Sequence, residues 1–288
     1  MHSKDKKGFF FLISPPLFWF SLFLCIPLII VILYSFGFKE TYGNVILGLN
    51  FENYAMAFDP LYLGILFKSI LIAIAITFIT LILGFPVAYF LAFAPVKLKI
   101  FLSALIILPL WTNFLIKVYS FIILLGENGL VNNLLISLGL IDSALPLYNN
   151  LFSLFVVFIY INLPFMIMPV FASIDKIDKN LLEASMDLGA NKLQTLMKII
   201  LPYSLPGIAA GVVFVFVPTL SNFLVPELAG GIDNYMIGNV INSQFLQARN
   251  WPLGSAISAI LIFLVLVLVS VYIKYFEPGK NSKRTEIL

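Results

Sequence analysis

The sequence predicts an all-α polytopic membrane protein with six transmembrane helices. Of its 288 residues, 61% are hydrophobic and only 11% are charged, whereas soluble globular chains carry about 25% charged residues. The mean hydropathy is +1.05, and a soluble domain of this length could not bury so much apolar surface. A membrane-spanning helix needs about 20 predominantly apolar residues. Six stretches meet that requirement: Phe9–Phe36, Phe67–Phe93, Ile100–Leu125, Leu151–Ile174, Tyr203–Leu224 and Ser255–Phe276.

The first apolar stretch has the setting of a signal peptide but not its length. It follows a lysine-rich N-terminus, as the hydrophobic region of a signal peptide would. That region spans about 7–15 residues and ends at a small-residue cleavage site, whereas Phe9–Phe36 is longer and no such site follows it. We therefore predict a retained N-terminal helix at residues 9–36. With a five-helix core over about residues 63–276, it forms one predicted membrane domain, residues 1–288.

The distribution of basic residues predicts the orientation of the helices, because cytoplasmic loops of membrane proteins carry an excess of Lys and Arg. Thirteen of the 17 Lys and Arg residues fall in the two termini and in the second and fourth loops. The other side holds the remaining four, Lys39, Lys68, Lys117 and Arg249. We therefore predict that both termini and the charged fourth loop are cytoplasmic. The predicted outer loops are Gly37–Leu66, Gly126–Asn150 and Val225–Gly254.

Prolines recur within the apolar stretches or at their ends. Each removes a backbone donor and frees a carbonyl, which in lipid must be satisfied by a neighbouring helix or a cavity. One proline alone more often kinks a helix for packing, but several together favour irregular helices around a pathway. The seven prolines are Pro27, Pro86, Pro109, Pro164, Pro169, Pro206 and Pro218. In the fifth stretch, Gly207-x-x-x-Gly211 favours close packing with another helix.

A polar segment between the fourth and fifth stretches is the best candidate for contact with a soluble partner. Asp178 or Asn180 can cap a helix that continues to Gly189, where glycine favours a left-handed ending. Asn191 can cap the next helix, with Gln194 at its third position. The pattern predicts two short helices joined at a glycine corner, and an ordinary amphipathic surface loop is the alternative. One face of the first helix carries, at helical spacing, Leu181, Leu182, Ser185 and Leu188.

The same segment resembles the EAA motif of ABC importer permeases. Three residues separate Glu183-Ala184-Ser185 from Gly189, and nine residues separate Gly189 from Ile199-Ile200-Leu201-Pro202, which is the spacing of the motif. Ser185 is the one departure, since alanine usually stands there. The motif also lies where the family has it, in the predicted cytoplasmic loop before the fifth of six spans.

Further segments resemble the PotB-type subfamily of spermidine/putrescine permeases, and together the match covers nearly the whole chain. Trp111-Thr112-Asn113 is more similar to this type of permease subunit than to its PotC-type sibling. The matching segments are Asn50–Tyr54, Asp59–Tyr62, Leu108–Asn113, Asn162–Met166, Leu188–Ala190 and Asn222–Gly231.

The resemblance implies a type I ABC importer permease fold with a cytoplasmic coupling helix, in the plasma (inner) membrane of a bacterium. In such importers the EAA loop docks on a cytoplasmic ATPase subunit, two permease subunits enclose the pathway, and an external binding protein delivers the substrate. The implied partners are therefore a PotC-type sister permease, two ATPase subunits, an external polyamine-binding protein and membrane lipid, with no nucleic acid. The implied ATPase-coupling residues are Glu183, Ala184, Ser185, Asp187 and Gly189.

The chain offers no catalytic chemistry of its own. It has no Gly-x-x-x-x-Gly-Lys-Ser/Thr loop, so ATP hydrolysis is expected on a separate chain. The lone His2 stands near the terminus and the lone Cys25 lies in an apolar stretch, which argues against a zinc site, a His-based catalytic centre or an intrachain disulfide. We therefore predict no catalytic residue, no metal site and no cofactor.

A cationic substrate would need polar or aromatic groups along its path, because the predicted spans hold no Asp or Glu. Aromatic rings attract ammonium groups by about 0.5–2 kcal/mol each, and Asn side chains can accept their hydrogen bonds. The predicted pathway residues are Trp111, Asn113, Tyr119, Tyr160, Asn162 and Asn222. Trp111 is the leading candidate, since it lies close to Pro109 and Asn113. For any single aromatic residue, interfacial anchoring or packing is the alternative.

Three alternatives to polyamine import remain open on the sequence. The first is a permease for another small solute, such as ferric ion, thiamine or an oxyanion, since relatives share the EAA loop. The second is an ion-coupled carrier or channel, which would need intramembrane charges or internal repeats; the sequence shows no acids in the spans and no evident repeat. The third is a membrane enzyme, for which metal-ligand spacing, a Gly-x-Ser-x-Gly elbow and an internal His are all missing.

Overall fold

Helices dominate the computed structural model, which describes residues 13–40 and 43–276. The helices are α1 (Ile13–Ser35), α2 (Glu52–Ala57), α3 (Pro60–Phe93), α4 (Val96–Ile107), α5 (Phe114–Leu125), α6 (Leu130–Ser137), α7 (Leu151–Ile174), α8 (Lys179–Asp187), α9 (Lys192–Ser221), α10 (Ile237–Leu246) and α11 (Trp251–Phe276). Two short strands, β1 (Phe38–Lys39) and β2 (Val45–Ile46), pair antiparallel, with Phe38 opposite Ile46.

Among the described residues, six apolar stretches are long enough to cross a bilayer, which confirms the predicted fold class. They are α1, α3, α5 with α6, α7, α9, and α11 as far as Lys274. α7 has the predicted ends, because Asn150 and Ser153 form a capping box at its start. α3 and α9 each begin earlier than the apolar run alone predicts. Residues 9–12 of the predicted first stretch lie outside the described residues.

The predicted third span, Ile100–Leu125, is not a single helix. α4 and α5 are separated by a 3-10 turn at Leu108–Trp111. Pro109 lies in this turn, where its missing N–H ends the regular helix. Asn113 then caps α5 by accepting a hydrogen bond from Leu115 N at 2.8 Å. The third stretch long enough to cross the bilayer is instead α5 with α6, which a short break separates.

Contacts divide the described residues into two compact units. The first comprises the chain up to Leu63 together with Val240–Leu264, and the second comprises Gly64–Asn239 together with the chain from Val265. The single membrane domain predicted over residues 1–288 stays a prediction.

The first unit is held by side chains that bond to backbone carbonyls. The buried amide of Asn53, on α2, donates to Ser35 O at 3.0 Å and to Gly37 O at 2.9 Å. Lys39, on β1, donates to Ala248 O at 3.1 Å. These bonds fix the predicted outer loop that follows α1.

The core of the second unit lies along α7, which packs most extensively against α9. At Gly207 a Cβ would lie 2.3 Å from Pro169 O, and at Gly211 it would lie 2.7 Å from Met166 Sδ. Only glycine allows backbones to approach this closely. The predicted packing role of Gly207-x-x-x-Gly211 is therefore confirmed.

The predicted outer loop Val225–Gly254 is largely helical, and its first part is embedded in the second unit. Val225 and Ala229 are fully buried, and a π-helical turn runs over Pro226–Gly230. Ser153, on α7, donates to Ala229 O at 2.5 Å. The first part of the loop therefore folds back into the second unit, whereas the part from Val240 onward belongs to the first unit.

Candidate functional site

α8 forms the first half of the predicted two-helix segment. Asp178 caps it by accepting a hydrogen bond from Asn180 N at 3.0 Å, so the cap is Asp178 and not Asn180. The helix ends at Gly189, whose φ is +85° as predicted and whose N–H donates to Met186 O at 2.9 Å. A Cβ at Gly189 would meet nothing within 4 Å. Glycine therefore serves the backbone conformation here, and not a close contact.

The second half of the segment is the start of α9. Asn191 and Gln194 cap it reciprocally, since Asn191 N donates to Gln194 Oε1 at 2.9 Å and Gln194 N donates to Asn191 Oδ1 at 2.8 Å, which confirms the predicted cap. The prediction of a second short helix is wrong, because α9 continues without a break into the fifth span. A π-helical turn at Leu196–Ile200 precedes Pro202, which has no N–H to donate. The irregular turn lets the helix continue through this position.

One face of α8 packs on the second unit. Leu182 is buried and belongs to its hydrophobic core. One turn later, Ser185 Oγ lies 3.0 Å from Thr195 Oγ1, in the first turn of α9. Leu181 and Leu188, predicted on the same face, are exposed, with Leu188 at 89%. The chain thus covers only part of that face, because Leu188 lies beyond the last regular turn of α8.

The opposite side of the segment is a surface that mixes charge and apolar side chains. Glu183 makes no hydrogen bond or ion pair with any described residue. Exposed apolar side chains next to an unpaired carboxylate are typical of a protein-binding surface. We call this set of exposed residues the α8 surface: Glu183, Ala184, Met186, Asp187, Leu188, Gly189 and Leu193.

An ion pair that was not predicted lies near α8. Asp175, at the end of α7, pairs with Lys99 of α4. The Lys99 Nζ also lies 5.8 Å from the centre of the Phe171 ring. Both charges fall in loops predicted to be cytoplasmic, but no sequence pattern indicated that these two loops meet.

The predicted aromatic pathway residues lie on exposed parts of the second unit. Trp111 is 87% exposed in the turn between α4 and α5. Tyr119, on α5, and Tyr160, on α7, are both partly exposed. The Tyr160 ring packs edge-on against Phe121, with ring centres 5.0 Å apart. α5 and α7 therefore contact each other through the aromatic rings of Phe121 and Tyr160.

The predicted amide residues have structural partners within the chain. Asn113 caps α5, and Asn222 accepts a hydrogen bond from Val225 N at 2.9 Å. Asn162 differs because it is only 4% exposed and donates to Thr219 Oγ1 at 3.2 Å. Packing between α7 and α9 accounts for Asn162, whereas Asn113 and Asn222 remain accessible.

Tyr148 is a residue that the sequence did not single out. Its hydroxyl donates to Leu228 O at 2.6 Å, which ties the loop before α7 to the embedded turn. Burial, with a smaller contribution from Tyr119, raises the pKa of Tyr148 above its ordinary value, so its hydroxyl stays protonated and remains a donor. A tyrosine in a predicted outer loop resembles an interfacial anchor, and no pattern marked this one.

Comparison with known proteins decides the family. The profile of the family described as "Binding-protein-dependent transport system inner membrane component" matches residues 82–281, which is more than half of the chain. The chain belongs to this family. It is a multi-pass membrane subunit of a transport system that works with a binding protein, and it is a transport subunit rather than an enzyme.

Curated relatives cover most of the chain. The spermidine/putrescine transport system permease protein PotB of Salmonella typhimurium (strain SL1344) is 41% identical over 254 residues, which are 88% of this chain and 88% of the relative. PotB of Escherichia coli (strain K12) is also 41% identical over 254 residues, which are 88% of this chain and 92% of the relative. These relatives confirm the resemblance to PotB-type permeases.

A solved structure matches nearly the whole fold. It is a chain of a bacterial ABC transporter described as involved in the import of the acidic polysaccharide alginate. The two chains superimpose with a TM-score of 0.74 over 96% of this chain and 97% of that one, at 20% sequence identity. At this identity the likeness shows the fold alone, and it confirms the predicted ABC importer permease fold.

Proposed function

We propose that this chain is one permease subunit of an ATP-driven importer of polyamines, spermidine or putrescine. The observation that carries the proposal is the 41% identity over 88% of the chain to proteins named as spermidine/putrescine permeases. The substrate passes between this chain and a PotC-type sister permease in a bacterial inner membrane. Two cytoplasmic ATPase subunits supply the energy, and an external polyamine-binding protein delivers the substrate. Both termini of the chain are cytoplasmic.

In this proposal the α8 surface docks on an ATPase subunit. Support comes from its exposed Leu188 and from Glu183, which lacks a partner within the described residues. Support also comes from Leu182, whose burial fixes the opposite face of α8. A carboxylate on a fixed helix can pair with Arg or Lys on the partner, while the leucine fills an apolar pocket.

The substrate passes along aromatic and amide groups rather than along carboxylates. The helices of the six apolar stretches hold no Asp or Glu among the described residues, and Glu127 lies in the break between α5 and α6. Exposed ring faces attract alkylammonium groups, and accessible amides accept their hydrogen bonds. The residues that fit this role are Trp111, Asn113, Tyr119, Tyr160 and Asn222, while Asn162 supports the pathway from the α7–α9 interface.

Uptake by the assembled transporter tests the proposal. The chain is expressed with its sister permease, ATPase subunit and binding protein in cells that lack polyamine uptake. We expect uptake of labelled spermidine or putrescine, and none when the ATPase subunit cannot hydrolyse ATP. Uptake of thiamine, ferric ion or an oxyanion in place of a polyamine would refute the substrate assignment while leaving the family intact.

A further inference from the structure

Ser185 is the position at which this chain departs from the EAA motif, and its hydroxyl has defined partners. Ser185 Oγ lies 2.8 Å from Leu182 O and 3.0 Å from Thr195 Oγ1. A carbonyl oxygen only accepts, and a hydroxyl has a single hydrogen to donate. Ser185 therefore donates to Leu182, and Thr195 donates to Ser185.

Thr195 depends on this bond. It is 6% exposed, and Ser185 is the partner that its hydroxyl has in the structure. The alanine that usually stands in the motif would leave the Thr195 hydroxyl buried without an acceptor, which is unfavourable. Ser185 and Thr195, which are ten residues apart, therefore form a matched hydrogen-bonded pair.

The hydrogen bond between Ser185 and Thr195 links α8 to α9 across the glycine corner at Gly189. Gly189 has a left-handed backbone and no neighbour that a Cβ would touch, so side-chain packing at Gly189 does not fix the angle of the corner. The contacts that fix this angle lie on the inner face of α8, where Leu182 packs in the core and Ser185 bonds to Thr195. The hydroxyl pair joins α8 directly to the first turn of α9.

α9 connects the corner at Gly189 to the far end of the predicted fifth span. It is one helix of 30 residues, about 45 Å long at 1.5 Å per residue. Its outer end holds Thr219, which is bonded to α7, and precedes Asn222. A displacement imposed next to Thr195 is therefore passed toward the proposed pathway along one continuous helix, which contains a π-helical turn and prolines.

We propose that Ser185 and Thr195 are positioning residues that brace α8 against α9, so that the two helices move as one body when the ATPase subunit moves α8. The proposal rests on the proposed function, in which α8 docks on that subunit. It assigns to Ser185 a task that the usual alanine of the motif cannot perform, and it makes Thr195 part of the coupling element.

The test is the amount of polyamine transported per ATP hydrolysed by the complete transporter in liposomes. Ser185→Ala and Thr195→Val each remove the bond, and because a neutral hydrogen bond is modest in strength, we expect this ratio to fall about twofold or more. The ATPase subunit should still co-purify, since the α8 surface is unchanged. Thr195→Ser keeps the hydroxyl and should keep the wild-type ratio.

The double variant Ser185→Ala/Thr195→Val distinguishes a positioning role of Ser185 from a role that only satisfies the buried Thr195 hydroxyl. If Ser185 served only to satisfy a buried hydroxyl, replacing both partners by apolar groups would restore the wild-type ratio, and that result would overturn the proposal. We expect the double variant to remain as poorly coupled as Ser185→Ala. A wild-type transporter that moves no polyamine would refute the proposed function instead, so the two failures are distinct.

If the Ser185→Ala transporter does not assemble, a disulfide between positions 185 and 195 tests the proposed brace instead. In a Cys25→Ser background, since Cys25 is a free cysteine, Ser185→Cys/Thr195→Cys places two sulfurs where the hydroxyls lie 3.0 Å apart. With the disulfide formed, we expect the wild-type ratio of transport to hydrolysis. Loss of transport on oxidation, with recovery on reduction, would mean that the corner must open during the cycle, and the brace would be refuted.

Discussion

Asn162 Nδ2 lies 3.2 Å from Thr219 Oγ1, and this bond joins α7 to the C-terminal end of α9. Thr219 donates its own hydrogen to Val215 O at 2.7 Å, so its oxygen is free to accept from Asn162. A sequence pattern predicts Asn162 on the substrate pathway, whereas its burial and this bond favour a role in packing. The two roles lead to opposite experimental results.

We expect Asn162→Leu to lower the free energy of unfolding by about 1 kcal/mol, as is usual for hydrogen bonds between membrane helices. Thr219→Val should have a similar effect, and the double variant should add little to either. Thermal unfolding of the purified complex in detergent measures the loss of stability in each of the three variants. Lost uptake in Asn162→Leu at unchanged stability would instead make Asn162 a pathway residue.

Gly207→Ala should be strongly destabilising. Its Cβ would lie 2.3 Å from Pro169 O, which is backbone and cannot rotate away, so α7 and α9 must separate at a cost of about 1–3 kcal/mol. Gly64→Ala is the matched control, because it lies in α3 with nothing within 4 Å of its Cβ. The same unfolding measurement compares them, and equal stability of the two variants would contradict the tight α7–α9 contact.

Trp111→Leu should reduce uptake without affecting assembly. Trp111 is 87% exposed, so its loss removes little packing within the chain. A lost cation–π contact weakens the apparent substrate affinity by roughly 2- to 30-fold, and Trp111→Phe should keep part of it. The measurement is polyamine uptake against concentration. Trp19→Leu, at another exposed tryptophan, is the control that should leave uptake unchanged, and normal uptake by Trp111→Leu would remove Trp111 from the pathway.

Gly189→Asp should insert and pair with the sister permease, but lose the ATPase subunit or its transport-linked hydrolysis. A Cβ in a left-handed conformation is unfavourable by about 1–2 kcal/mol, which a six-span protein tolerates, while the new charge stands on the α8 surface. Glu183→Ala should be milder, because exposed ion pairs contribute little. The measurements are co-purification in detergent and substrate-stimulated hydrolysis in liposomes.

Gly139→Asp is the matched control for that experiment. Gly139 also has a positive φ, of +68°, and open space at its Cβ, but it lies in a predicted outer loop. It should assemble and hydrolyse ATP as the wild type does. If Gly189→Asp behaves in the same way as this control, α8 is not the coupling element.

Labelling of single cysteines should show the predicted orientation. In a Cys25→Ser background, Asn191→Cys should react only after the membrane is made permeable, whereas Ser143→Cys should react in intact cells. Ser143 is exposed and lies outside the six apolar stretches, whereas Asn132 is buried and bonded to Leu145. A reporter fused after Leu288 should be active in the cytoplasm. External reactivity at Asn191 would separate α8 from any cytoplasmic ATPase.

The features that were predictable from the sequence have a local cause. α7 ends where predicted because Asn150 and Asp175 bound a predominantly apolar run. The corner at Gly189 was predictable because few other residues adopt a positive φ without strain. The cap of α9 followed from Asn191 and Gln194, whose spacing alone fixes their reciprocal bonds.

The features that were missed depend on contacts between distant residues. Hydropathy does not distinguish one apolar helix from two, so the turn at Leu108–Trp111 was hidden in a continuous run. The segment after α9 contains glycines and acids, which favour a solvent-exposed loop. It is buried because Ser153 and Tyr148 supply donors to its carbonyls, and neither donor is close to it in sequence. For the site, the exposed face of α8 was predicted, but the pairing of Ser185 with Thr195 was not.

The π-helical turn at Leu196–Ile200 makes the length of α9 as important as its composition. A π turn is an α-helix that contains one extra residue, and each residue turns a helix by about 100°. Thr195, on one side of the turn, faces α8, while Gly207 and Gly211, on the other side, face α7. Deleting a single residue between them would leave every named contact residue in the chain, yet the two ends of the helix could no longer face both neighbours at once.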